Sequence, residues 1–262
     1  MLRVIGVYLS INRESNFPYE ELMWPIWKKE FSQYFNSLTG YIAILVFLLL
    51  NGLLLFVLPD TNVFDFGYAT LDRFFSQAPW ILALLLPAIT MRSFSDELRS
   101  GTYETLVTKP LSKWQIITGK YFGSLSIAVI ALLPTLVYAV AIQRMAEGEG
   151  IDAGAVAGSY LGLLLLAAVF TAIGIFCSSL SVNAVVAFLV SAIACLLLYA
   201  GFSLISRIPA FVSGADYYIE MLGIDYYYRS ISRGVIDSRD LIYFLSLIVV
   251  FLAITRARLM RA

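Results

Sequence analysis

The sequence predicts an all-α integral membrane protein with six spanning helices. Two observations carry that prediction. Apolar residues make up 60% of the chain and charged residues 14%, against about 45–50% and about 25% in a soluble domain. The charges are also gathered between long uncharged runs, and mean hydropathy reaches +0.82. A soluble core of this size would still need a polar surface, whereas a lipid-facing surface removes that need.

Charges punctuate the spans, because each costs roughly 2.5–3.5 kcal/mol at the centre of a bilayer helix. Nothing is charged between Glu30 and Asp60, which places the first span at about 41–58. The second, at about 76–92, holds Pro79 and Pro87 and is expected to kink, as a bundle can accommodate. The third, at about 121–142, carries Pro134. From Ala153 to Ser206 no residue is charged, far more than the roughly 20 residues that cross a bilayer. This stretch must be two spans, at about 155–176 and 184–204, and the polar run Ser178–Asn183 is the break between them. The sixth span, at about 239–256, is short on hydropathy alone, with Arg239 and Arg256 placed to snorkel from its ends.

Six spans put both termini on one side. The segments on that side hold twelve of the 18 Lys and Arg, and seven of the 18 Asp and Glu. The excess of basic residues places both termini in the cytoplasm. Residues 1–22 read as a disordered upstream extension, explained by start-codon choice, and residues 23–262 as a single transmembrane domain. The apolar stretch Val4–Ile11 is too short for a signal peptide and lacks a small-residue cleavage site.

From Trp24 to Leu38, Trp27, Phe31, Tyr34, Phe35 and Leu38 recur at helical spacing, with Lys28, Lys29, Ser32, Gln33 and Asn36 between them. This pattern reads as an amphipathic helix in the cytoplasmic interface. Between spans two and three the loop is rich in caps and turns. Asp96-Glu97-Leu98-Arg99 ends one helix at Gly101. Thr102 is placed to cap a short helix with Glu104 in its first turn, stopping before Pro110, and Ser112 to cap the next. The short helix is expected to lie across the cytoplasmic face and to expose Tyr103, Leu106 and Val107 as a docking surface. On the opposite side Arg207–Asp240 carries Tyr217, Tyr218, Tyr226, Tyr227 and Tyr228, which reads as short helices anchored in the outer leaflet.

Several chemistries are excluded. The chain has no histidine, so histidine general bases, Ser-His-Asp triads and histidine-ligated metals are ruled out. Cys177 and Cys195 sit in apolar runs and read as packing residues. Zero net charge leaves no nucleic-acid footprint. The phosphate-cradling Gly-x-x-x-x-Gly-Lys-Ser/Thr pattern is absent, which removes nucleotide hydrolysis by this chain. An intramembrane enzyme or an ion-coupled secondary transporter would need ionisable groups within the spans. The reading puts none in a span core. A non-transporting membrane anchor predicts no motif at all.

The run Asp96–Leu106, then Pro110–Ile116, then Gly119-Lys120 resembles the coupling region of ABC-2 type transporter permeases. That resemblance implies a membrane subunit without an ATPase of its own, with ATP entering through a partner ABC ATPase subunit. It implies that Glu97, Gly101, Thr102, Glu104 and Pro110 belong to the element meeting that subunit, with Tyr103 and Leu106 beside them. Ser179, Ser181 and Asn183 fall where the family makes a second, smaller contact. The stretch Ile231–Phe244, with Gly234, Asp237 and Asp240, is similar to the gliding-motility permeases of Bacteroidota. Export, or drive for an envelope machine, is the function this implies. It also implies a bacterial inner-membrane location and a second permease, identical or related, as partner.

Overall fold

A computed structural model describes residues 23–58, 70–108, 111–146, 150–208, 216–234 and 237–260. Residues 1–22, read above as an extension, and Pro110 lie outside them. Among the described residues the secondary structure is helical, and six helices are long and apolar enough to cross a membrane.

Helix α1 (Met23–Asn36) turns at Ser37 into α2 (Leu38–Phe56), the first span. The second span is α3 (Asp72–Thr90), which continues after a break at Met91 as α4 (Arg92–Ser100). Gly101 at φ 68 then redirects the chain into α5 (Thr102–Val107). The third span is α6 (Lys113–Leu132), a 3₁₀ turn at Leu133–Thr135 and α7 (Leu136–Met145). Pro134 explains that turn, since it cannot donate to the helical ladder. The fourth span, α8 (Ala153–Ser178), is the most enclosed of the six. The fifth is α9 (Ala184–Leu196), a π-helical turn at Leu197–Gly201 and α10 (Phe202–Ser206). Two short helices, α11 (Asp216–Glu220) and α12 (Ile224–Ile231), precede the sixth span, α13 (Ser238–Met260).

The sixth span, short on hydropathy, is a helix of 23 residues. Asp240 in its first turn and Arg258 in its last extend it beyond the apolar run, each at the end where the helix dipole favours its sign. The third span also begins earlier than hydropathy places it, because α6 starts at Lys113 under a capping box formed by Ser112 and Gln115. Lys120 therefore lies two turns inside the helix.

Spans two and four pack at the centre of the bundle, with α3, α8 and α6 supplying most of the buried core. Their close approach depends on Gly174, where a Cβ would fall 1.9 Å from Thr90 Oγ1. Small residues allow this backbone proximity in the absence of any hydrophobic drive between helices in lipid.

The two prolines of α3 do not end the helix. Pro79 has no N–H, so the carbonyl of Phe75 loses its helical donor. Tyr228 from α12 donates its hydroxyl to that carbonyl at 2.7 Å, and both groups are buried. This bond pins the short helices onto the bundle. They are held further by Tyr227 stacked on Tyr243 at 3.9 Å and by the Tyr243 hydroxyl donating to the Leu222 carbonyl at 2.7 Å. Replacing Tyr228 by Phe keeps the ring and strands the Phe75 carbonyl. A loss of about 1–3 kcal/mol is expected, read as a lowered unfolding midpoint in detergent. An unchanged midpoint would show that the proline gap is satisfied by another route.

Candidate functional site

The candidate site is the face on which α1, α4, α5, the start of α6, the turn between α8 and α9, and the end of α13 meet. Its centre is Lys120, 2% exposed. An ammonium has three donors and no acceptor, and all three are used. Lys120 Nζ donates to Glu30 Oε1 of α1 at 2.8 Å, to Glu97 Oε1 of α4 at 2.8 Å, and to the Ser93 carbonyl at 2.7 Å. The ring of Phe94 lies 5.1 Å from the nitrogen, within cation–π range. Lys29, itself exposed, stands 3.9 Å from Glu97.

Local sequence explains how three helices come this close. Gly119 and Gly123 flank Lys120 on α6, and a Cβ at either would fall 2.7 Å from the Ile26 or Glu30 side chain. Helix α1 therefore lies directly on α6, with Trp27 Nε1 donating to Ser126 Oγ at 3.0 Å. The Tyr34 hydroxyl donates to the Ile89 carbonyl at 2.9 Å and lies 3.2 Å from Ser124 Oγ. Trp24, Trp27, Phe31 and Phe35 form a continuous aromatic ladder along α1.

The break at Met91 has an equally specific cause. Ser178, at the end of α8, donates its hydroxyl to the Met91 carbonyl at 2.9 Å and accepts from the backbone N–H of Phe94 at 2.9 Å and of Ser95 at 3.2 Å. A side chain inserted into the i→i−4 ladder bends a helix. Ser178 thus separates α4 from α3 and fixes the direction in which the loop leaves the membrane.

The sequence-predicted residues divide into an inner and an outer set. Glu97 faces inward onto Lys120. Tyr103 is buried, not exposed: its ring meets Phe94 edge-on at 6.3 Å, and its hydroxyl points to the Leu259 carbonyl at 3.5 Å. Burial first, and then the Glu97 carboxylate, push its phenol above the ordinary range. Leu106 also packs inward, on the cluster of Phe94, Tyr103, Ile117 and Leu259. These two correct the expectation of an exposed apolar docking strip, because the apolar side of so short a helix is consumed by the bundle beneath it. Thr102 is not the cap of α5. Gly101 occupies that position, and the Thr102 hydroxyl pairs instead with Ser100 Oγ at 2.8 Å. Gly101, Thr102 and Glu104 are exposed and, with Thr105, form the outward tip. Of the side chain of Val107 nothing is described.

In the turn between spans four and five, Ser179 is buried and its hydroxyl donates back to the Phe176 carbonyl. Ser181 accepts from the Asn183 N–H at 3.1 Å, and Asn183 caps α9 by accepting from Val185 N at 2.9 Å. At the far face, Gly234 adopts φ 82 where a Cβ would lie 2.8 Å from the Ala155 Cα. Asp237 accepts from Arg239 N at 3.0 Å, and Asp240 is buried at the start of α13. These three shape the entry to span six. A concavity of about 600 Å³ beside them is lined by Trp80, Arg207, Asp225, Arg229 and Arg233. Arg229 is committed to Glu220 and, at 3.0 Å, to Asp225. Burial raises the Asp225 carboxyl above its ordinary range even so, with Arg229 pulling it back down and Glu220 adding to the rise.

Sequence reasoning missed the latch of Lys120, Glu30, Glu97 and the Ser93 carbonyl. The signal available was Gly119 and Gly123 bracketing a lysine, a small-residue pattern that lets another helix cover it.

A family model described as ABC-2 family transporter protein matches residues 24–262. The chain belongs to that family and is a multi-pass membrane permease. No curated protein matches it.

Breaking a buried ion pair from one side costs about 3–5 kcal/mol, because an uncompensated charge is left behind. Lys120→Met is expected to lose that much. Adding Glu30→Gln and Glu97→Gln should restore most of the loss, since the stranded carboxylates are then gone. Chemical denaturation of the three proteins in detergent reads both changes, and a near-neutral Lys120→Met would show that the latch carries no stability.

Proposed function

We propose that this ABC-2 family permease is the membrane-spanning subunit of an exporter, or of an envelope machine such as that of gliding motility, driven by a separate ABC ATPase. It sits in the bacterial inner membrane with both termini in the cytoplasm and pairs with a second permease, identical or related. The ATPase docks on the outward tip of α5, around Thr102, Glu104 and Thr105, with the turn at Ser181–Asn183 as a smaller contact.

One observation supports this reading above the rest. The tip is exposed, yet the helices beneath it are clamped to three spans: to α6 and α1 through Lys120, to α8 through Ser178, and to α13 through Tyr103 and Leu259. Lys113 Nζ also donates to the Leu259 carbonyl at 2.7 Å, and Arg256 lies 5.2 Å from the Trp114 ring. A push at the tip is therefore delivered to the bundle as a whole, which is what rocking between access states requires. The positive-inside distribution supports the orientation, and the similarity of Ile231–Phe244 to the gliding-motility permeases supports the narrower assignment.

Glu97 is a poor probe of docking, because it also holds Lys120. Glu104→Lys and Thr105→Arg alter only the exposed tip. The permease purified from its native membranes in mild detergent is expected to bring an ATPase with it, measured as ATP hydrolysis in the eluate. Either variant should lower the recovered activity roughly tenfold at equal permease abundance, the size of a lost interfacial charge contact. Tyr218→Ala on the far face should not. Wild type that recovers no ATPase, or tip variants that keep it fully bound, would sink the docking assignment.

A further inference from the structure

A groove of about 420 Å³ opens beside the latch, between α1, α2 and α3. It is two-ended. One end is apolar, walled by Ile42, Val46, Leu85 and Ile89 from the first two spans. The other ends on the latch itself, with Glu97, Ser93 and Arg92 on its floor and rim.

Two buried polar atoms at that floor have no hydrogen-bond partner among the described residues: Glu97 Oε2 and Ser93 Oγ. Ser93 is 5% exposed, and its hydroxyl lies near that of Tyr34 but outside bonding geometry. Glu97 spends its other oxygen on Lys120. The latch also carries two carboxylates for one buried ammonium, and the second cation, Lys29, stays exposed at 3.9 Å. A buried, unpaired carboxylate oxygen beside a surplus of negative charge calls for a hydrogen-bonding cation. Arg92 at the rim is exposed and has no ion-pair partner among the described residues.

We propose that this groove holds an aminophospholipid of the leaflet on the loop side. Its ammonium donates to Glu97 Oε2 and Ser93 Oγ, its phosphate pairs with Arg92, and an acyl chain runs along Ile42, Val46 and Leu85. The headgroup matches the groove in sign at both points, and the apolar end lies where lipid tails are. A lipid with an anionic, amine-free headgroup satisfies Arg92 but leaves the carboxylate oxygen unpaired. A quaternary ammonium brings charge with no N–H to donate. The proposal rests on membrane embedding and not on the docking of an ATPase, so the two stand or fall separately. Bound lipid would bridge α1, α2 and α3 beside the latch and stiffen the connection between the first span and α4.

Native mass spectrometry on the delipidated full-length chain tests this. The protein is offered phosphatidylethanolamine and phosphatidylglycerol with matched acyl chains. Phosphatidylethanolamine is expected to be retained roughly tenfold over phosphatidylglycerol, the worth of one charge-assisted hydrogen bond. Ala88→Trp, at an exposed position on the groove wall, should bring the ratio to near unity by filling the space. Val46→Trp fills it from the facing helix, should either variant misfold. Glycerophosphoethanolamine, which has the headgroup but no acyl chains, should fail to displace the lipid. Equal retention of the two lipids by wild type overturns the proposal. So does an unchanged ratio in a well-folded groove-filling variant, which would put the lipid elsewhere. Displacement by the chainless headgroup would mean that the site reads a soluble amine, and overturns it too.

Discussion

The loop-side half of this molecule depends on the requirement that the ammonium of Lys120 not be buried alone. Moving an isolated ion of that size into a medium of low dielectric costs of order 20 kcal/mol in the idealised limit, and still several after relaxation. Three acceptors at 2.7–2.8 Å answer that cost, and they come from two different helices. Neither α1 nor α4 is free to choose its position once Lys120 is fixed on α6. The glycines on either side of the lysine make the arrangement sterically possible, and the pairing makes it obligatory. Charge, close approach and helix placement are therefore one constraint.

The same reasoning extends to the backbone. Inside a bilayer an unpaired carbonyl lacks bulk water to turn to, and two of the irregularities here are met by side chains. Pro79 opens a gap at Phe75, and Tyr228 closes it from a helix that is 153 residues away in sequence. Ser178 inserts into the ladder at Met91 and satisfies both the acceptor and the donors that it separates. In each case the residue that repairs a break also docks another segment. The short helix α12 and the loop between spans two and three are held by such repairs together with the apolar burial of Ile224, Ile231 and Phe94.

This explains which parts of the structure could be read from sequence. The six spans were legible because a charge in the bilayer is expensive enough to act as punctuation, and the break at Ser178–Asn183 because only polar residues interrupt so long an apolar run. Gly101 was legible as a helix stop, and its φ of 68 is the reason. Lys120 was misplaced for the same reason that the spans were found: a lysine at the edge of an apolar run looks like a boundary, and hydropathy cannot tell a snorkelling lysine from a paired one. The difference lies in Glu30 and Glu97, which no periodicity connects to it. Tyr103 and Leu106 were read as exposed because a six-residue helix has too few turns to declare which face is inward. What decides it is the far end of span six, where Leu259 waits.

Taken together, these contacts decide what motion the loop can transmit. A loop fastened at one point would swing, and force on its tip would be lost in bending. Here the segment from Arg92 to Val107 is fastened at Lys120, at Ser178 and at Leu259, on three different spans. The hinge that remains is at Gly101, where nothing lies within 4 Å of the space a side chain would occupy. The fastenings at Lys120 and Ser178 lie on the α4 side of that hinge. Beyond it, among the described residues, the inward contacts of Tyr103 and Leu106 hold α5 down. A displacement of the exposed tip must therefore either turn α5 about Gly101, at the expense of those two contacts, or carry α1, α6, α8 and α13 with it. Interiors packed this closely resist gradual deformation, and pulling a buried ion pair apart leaves an uncompensated charge behind. The structure thus favours the second course, in which the latch moves as a body with the bundle.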